Sequence, residues 1–468
     1  MDGAALKNSN LLSSWILFAT VAAAPLPFGS TSATAIAFWC VVLGVGLIAA
    51  SLRNLGKLQL LPLVLIAVVA GAYCVVLHEQ LSDAPWFSVA PDPAWSKASE
   101  LLNTAIAPSL SLAKNEPWHA LGAPLAALLA FATGYIVCAE RTHAHTLLQV
   151  VAWSGVAYAV LGIALFLIDP TRLLWREKLF YLSSLTGPFI NRNTAAVYFG
   201  SCLIVCLLLF LRDLGAGHHD QRPRLRDLWR LVGADGRQPS WTLIGGLSRV
   251  LVLATALLMT QSRAGVVFSL LGLVLAFMLF QARVFTGRQH VWLSLGLGLG
   301  LVLAMLQVLG SGSVGMRFDT SGLGDAGRLE TYRSTWRLIA DHPWLGTGQG
   351  TFVWSFPPYR DGVSIWGIWN RAHNTLFEIA ADMGLPLALL VAAAWGLAIG
   401  MLIRGIRVRR RDLIIPISAL AIVLVSVAHT LIDFSLQIPG YSIVAFAILG
   451  AGIAQSYAGR SRQQRDLG

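Results

Sequence analysis

LIGGLSRVLVLATALLMT at residues 243–260 and GVVFSLLGLVLAFMLFQ at residues 265–281 are two apolar runs separated only by Gln261-Ser262-Arg263-Ala264. Wound as helices at about 1.5 Å per residue, each nearly covers the roughly 30 Å hydrocarbon core of a bilayer. A four-residue link leaves no room for anything but a crossing and an immediate return. Backbone amides in lipid must be satisfied within their own helix, so the pair reads as a transmembrane hairpin.

Outward from that hairpin the pattern repeats. Further apolar spans fall near 12–28, 33–50, 59–78, 118–138, 146–168, 194–211, 291–309, 375–402, 413–432 and 441–457, twelve in all. The expected fold is an all-α integral membrane protein of about twelve transmembrane helices. The composition agrees, with 56% hydrophobic and only 12% charged residues. A formal charge of +11 could suggest nucleic acid, but its distribution argues for topology. With the N-terminus in the cytoplasm, 20 of the 34 basic residues fall in the shorter cytoplasmic segments, more than twice the density of the opposite face. Arg212, Arg222, Arg224, Arg226, Arg230 and Arg237 share one such loop; Arg404, Arg407, Arg409, Arg410 and Arg411 share another. No nucleic-acid partner is expected, and membrane lipid is. Both termini are placed in the cytoplasm. Cys40, Cys74, Cys138, Cys202 and Cys206 lie in or beside apolar spans, where small hydrophobic packing is the simplest role.

Three long loops, 79–117, 169–193 and 310–374, then share the extracytoplasmic side. The first is rich in Pro and Trp, including Trp86, Phe87 and Trp95, and suits the headgroup level. The second delivers Gly187-Pro188-Phe189-Ile190-Asn191-Arg192-Asn193-Thr194 to the mouth of the sixth span, where the asparagines could equally cap the helix. The third opens with a Gly and Ser stretch from Gly310 to Gly315. It then predicts an amphipathic helix in which Leu329, Tyr332, Trp336 and Ile339 share one face beside Arg333 and Arg337.

Four clusters on that side carry chemistry. Arg263 interrupts two apolar spans, and an arginine near hydrocarbon costs on the order of 3 kcal/mol unless it snorkels, pairs or lines a polar cavity. Arg328 and Arg192 add guanidinium forks that match phosphate oxygens, while Arg333 and Arg337 fit a solvated face as well. Arg371-Ala372-His373-Asn374 stands where the long loop enters the tenth span. A neutral imidazole there can take a proton from a hydroxyl, although a lone histidine is often structural. Glu378 and Asp382 follow at one-turn spacing and are expected to continue into the membrane as interior-facing groups.

Ser262-Arg263-Ala264-Gly265, Gly327-Arg328 with Tyr332 and Trp336, His342-Pro343-Trp344-Leu345-Gly346-Thr347-Gly348, and Ala372-His373-Asn374 followed by Gly384 together resemble successive blocks of the O-antigen ligase and polymerase family. The Gly187 to Asn193 turn and His429-Thr430-Leu431-Ile432-Asp433-Phe434 extend the resemblance to about residues 187–440. One departure is Ser-Arg-Ala-Gly where many members have Ser-Arg-Gly. The resemblance implies a catalytic region at 187–440, preceded by spans and the first periplasmic loop at 1–186 and followed by a last span and basic tail at 441–468.

It also implies an enzyme of the bacterial inner membrane with its site facing the periplasm. The donor would be an undecaprenyl-diphosphate-linked glycan, and the acceptor lipid A core or a lipid-linked glycan, for lipopolysaccharide or exopolysaccharide. The transfer would be metal-independent and inverting, with no cofactor. His373 matches the family's base, and Arg263 and Arg328 match its diphosphate-binding arginines. Arg192, Asn191, Asn193, Tyr332 and Asn374 are the further residues expected to bind substrate, and no metal ligand is expected. A secondary transporter or lipid-linked glycan flippase is the alternative, but transporters gather polar residues at the midplane, whereas these lie at one face. A scaffold without catalysis leaves the shared location of the arginines and His373 unexplained.

Overall fold

The computed structural model describes residues 3–52, 55–87, 89–215, 240–284, 326–360, 368–409 and 412–457. Among them are eight helices long and apolar enough to cross a membrane and three shorter apolar ones. In chain order the helices are α1 (Gly3–Ala23), α2 (Ala33–Ala49), α3 (Leu61–Leu81), α4 (Ala94–Leu102), α5 (Glu116–Ala120), α6 (Gly122–Val137), α7 (Arg141–Ile168) and α8 (Arg192–Gly215). They continue with α9 (Trp241–Met259), α10 (Arg263–Val284), α11 (Ala326–Asp341), α12 (Phe352–Ser355), α13 (Thr375–Met383), α14 (Leu385–Val408), α15 (Ile414–Thr430) and α16 (Pro439–Tyr457). A two-stranded hairpin, β1 (Arg172–Leu173) and β2 (Arg176–Glu177), follows α7. The span expected at 291–309 and the Gly310 to Gly315 stretch lie outside the described residues.

Helices α8 and α16 are buried along most of their length and form the centre of the bundle. Lipid offers no hydrophobic gain for packing helix on helix, so close approach and internal hydrogen bonds do the joining. A Cβ at Gly134 of α6 would stand 2.7 Å from the Ala447 carbonyl oxygen of α16, so only glycine permits that crossing. The Tyr441 hydroxyl of α16 meets Ser426 Oγ of α15 at 2.6 Å and Ser201 Oγ of α8 at 3.1 Å. Cys202 and Cys206 are buried free thiols on α8.

Each end of the bundle has its own polar network. At one end Asp412 accepts from Arg141 at 2.7 Å and lies 3.5 Å from His145 and 3.9 Å from Arg409. Arg409 in turn donates to the carbonyl and side chain of Gln455. The starts of α7 and α15 are thereby tied to the ends of α14 and α16. At the other end the loops interlock: Gly440 N–H donates to Gly29 at 2.8 Å, Leu112 to Thr347 at 2.8 Å, and Leu185 to Met259 at 2.9 Å. These bonds join the turn after α1 to the start of α16, the segment after α4 to the loop after α11, and the loop after α7 to the end of α9.

One expectation needs correction. The tenth span does not run from 375 to 402, because the chain breaks at Gly384 with φ +87° and divides α13 from α14. A Cβ there would lie 2.1 Å from the Trp344 carbonyl, so the elbow requires glycine twice over. Glu378 and Asp382 consequently sit in the short α13, packed beneath the 342–351 loop, rather than inside a spanning helix. The helix expected after residue 326 is α11, and its sides differ in burial. Thr331, Ser334, Thr335, Leu338 and Ile339 are buried, while Leu329 and Trp336 are about half exposed. The aromatic stripe leans sideways, with Tyr332 edge-to-face at 5.9 Å and Trp336 tilted at 6.3 Å against Phe377 of α13.

Candidate active site

Ser262 ends the tight turn between α9 and α10, and its hydroxyl accepts the Gly265 N–H at 3.2 Å as a helix cap. A Cβ on Gly265 would lie 2.4 Å from the Ala196 side chain, which places the start of α10 hard against the start of α8. The extra alanine before that glycine is thus accommodated within the first turn of α10. Arg263 is the first residue of that helix and half buried.

The Ser262 hydroxyl also donates to Asn193 Oδ1 at 2.8 Å, and the Asn193 amide donates to Asp433 Oδ2. Asp433 Oδ1 accepts the Phe434 N–H at 2.8 Å and faces His373 Nδ1 across 3.6 Å. One polar chain therefore connects the starts of α8 and α10, the turn after α15 and the residue preceding the α13 cap. Burial opposes a charge on Asp433, but the nearby imidazoles of His373 and His429 and the Phe434 N–H outweigh it and hold the carboxyl below its ordinary value.

His373 itself has φ +52°, a left-handed conformation uncommon for a residue with a side chain. Its carbonyl lies 3.0 Å from the Tyr332 hydroxyl, which also reaches the Leu431 carbonyl at 3.3 Å. The imidazole is flanked edge-to-face by Trp369 at 5.3 Å and Phe434 at 5.2 Å and remains 26% exposed. Strain of this kind persists where surroundings over-determine it, and here a hydroxyl, a carboxylate and two rings do so. Asn374 next to it caps α13, accepting from Leu376 and Phe377 at 3.1 Å each.

The remaining expected residues gather around the same mouth. Arg192 donates to Ser184 Oγ at 3.2 Å and stacks 5.0 Å over the Tyr181 ring. Asn191 Oδ1 accepts the Asn193 N–H at 2.7 Å, a cap on α8. Burial and then the charge of Asp433 push the Tyr181 phenol up, while Arg192 and Arg328 oppose them, so one ring lies within electrostatic reach of all three. Arg328 stands in the first turn of α11. Arg371 is instead paired with Glu378 at 2.8 Å. Its neighbour Asp382 accepts the Gly350 N–H at 2.8 Å and fastens the 342–351 loop.

Sequence reasoning missed Asp433, Tyr181 and the scaffold role of Ser262. Asp433 did carry a signal: a carboxylate just past an apolar span is costly unless something pairs with it. Comparison with curated proteins gave no match. Residues 249–392, under a third of the chain, match the family model described as O-antigen ligase. That match includes Arg263, Arg328 and His373, and it lies in a chain whose described residues hold eight helices long and apolar enough to cross a membrane.

Proposed function

We propose that the chain transfers a glycan from an undecaprenyl diphosphate carrier to an acceptor hydroxyl, on the periplasmic face of a bacterial inner membrane, without a metal. The pairing of His373 with Asp433 carries this reading, since it sets an accessible imidazole against a buried carboxylate at a mouth bordered by arginines. His373 Nδ1 faces the carboxylate, which leaves Nε2 to accept the acceptor hydroxyl proton. As the acceptor oxygen bonds to the anomeric carbon, the bond to the diphosphate breaks and the electron pair leaves with it. In-line attack inverts that carbon. A diphosphate leaving group needs charge neutralisation more than protonation, and Arg263, Arg328 and Arg192 supply cations for it.

Asn193 bonds within the protein at both ends of its amide, so its part is to hold Asp433. Tyr332 fixes the strained His373 peptide, and Asn191 and Asn374 fix the helix starts that present Arg192 and His373.

The test is transfer by the purified chain from a lipid-linked donor, with EDTA present throughout. His373→Ala should lower turnover about a hundred-fold to ten-thousand-fold while donor affinity stays within twofold. Near-parental turnover in His373→Gln, with no loss of rate on the acid side, would remove the base assignment. Deletion in cells separates two products of the same chemistry: surface glycan capped at one repeat marks a polymerase, and full-length unattached chains mark a ligase.

A further inference from the structure

Leu179-Phe180-Tyr181-Leu182 is a short segment beside Arg192, whose guanidinium lies 5.0 Å over the Tyr181 ring. Its base is fixed, since Lys178 N–H donates to Thr171 at 2.8 Å and its ammonium to the Ser184 carbonyl at 3.0 Å. Single exposed apolar side chains need no explanation. Here three of four consecutive residues outside the spanning helices are exposed: Leu179 at 83%, Phe180 at 71% and Leu182 at 47%. The fourth, Tyr181, takes a left-handed φ of +61° that turns its ring the other way, onto the Arg192 guanidinium. Ser184, which anchors Lys178, also receives Arg192. A cationic seat and an apolar ledge are thus joined through one short segment.

The ligand that satisfies both is an amphiphile with a compact anionic head and an apolar chain. We propose that Leu179, Phe180 and Leu182 are the subsite for the first isoprene units of the donor's polyprenyl chain, and that Tyr181 fixes Arg192 at the diphosphate where that chain begins. This rests on the donor reading above and adds to it the place where head gives way to tail. Isoprene units are branched and unsaturated, and a leucine–phenylalanine ledge meets them with dispersion contacts alone. The stacked ring restricts the guanidinium to one plane, so less side-chain freedom is lost when phosphate oxygens bind it.

Chain length is the readout. Affinities of the full-length chain in micelles are compared for undecaprenyl diphosphate and the ten-carbon geranyl diphosphate. The variant combines Leu179→Ser, Phe180→Ser and Leu182→Ser at exposed positions, and an unchanged thermal melt is its control for folding. The parent should prefer the long chain; the variant should lose about 10- to 100-fold for it and bind the short one as before. Tyr181→Leu should weaken both. A variant that keeps the parent's preference would reduce the segment to a membrane anchor and overturn the proposal. Equal loss for both chain lengths would overturn it too, because the damage would then lie at the head. If the parent binds neither diphosphate, the donor reading fails and the subsite falls with it, a result unlike either of the others.

Discussion

Asp433 Oδ1 lies 3.6 Å from Nδ1 of His373, with the other carboxylate oxygen held by Asn193. The gap is slightly longer than a hydrogen bond, and such contacts commonly tighten when substrate is bound. Because Asp433 is only 1% exposed and bonded on both oxygens, the imidazole is the group that must move.

Asp433→Asn should keep the fold while removing the charge that favours imidazolium as the proton arrives, and its amide nitrogen displaces one of the two donors, Asn193 or Phe434 N–H, that the carboxylate accepts. A charge-assisted hydrogen bond contributes about 1.5–3 kcal/mol, so turnover should fall about 10- to 150-fold with donor affinity unchanged. Single-turnover rates measure it. Loss of donor binding in step with rate would instead make Asp433 a structural residue.

The arginines are tested by charge and shape together. Arg328→Lys should retain part of the donor affinity, and Arg328→Ala should lose about 10- to 100-fold. Arg263→Lys should be tolerated less well than Arg328→Lys, because Arg263 starts a helix packed against α8 and its replacement cannot reach from elsewhere. Binding equal to the parent in both alanine variants would place the diphosphate site elsewhere.

The spans were legible because the bilayer demands long apolar runs of its own accord, and the arginines and His373 because they interrupt or border such runs. What escaped depends on distance along the chain. Asp433 meets His373 across α13, α14 and α15, and no local pattern links them. The division at Gly384 was hidden because the apolar run continues through it, and only the Trp344 carbonyl pressing on that glycine explains the break. Tyr181 belongs to no local motif, and only the fold places it under Arg192.

Sidedness can be read with single cysteines at exposed positions near the two ends of the bundle. Ser183→Cys lies in the loop beside Arg192, and Thr142→Cys at the start of α7 beside Arg141. In intact cells made permeable only through the outer membrane, an impermeant thiol reagent should label the first and spare the second. The reverse pattern would invert the topology and put the site in the cytoplasm.

Asp412 gives a prediction about stability that does not involve the reaction. Burial opposes its charge, but hydrogen bonding from His145 and the cations Arg141, His145 and Arg409 prevail, so the folded carboxyl sits below its ordinary value. A depressed acid stabilises the fold above the unfolded pKa of about 3.9, and that contribution is lost as pH falls through the lower folded value. Arg141 is 62% exposed, so solvent screens its share, and Asp412→Asn should cost about 1–2 kcal/mol at neutral pH. Thermal melts of parent and variant should differ at pH 7 and converge as the pH is lowered below 4. A gap that persists unchanged in acid would mean that Asp412 acts through hydrogen-bond geometry and not through its charge, since asparagine also tolerates its left-handed φ of +54°.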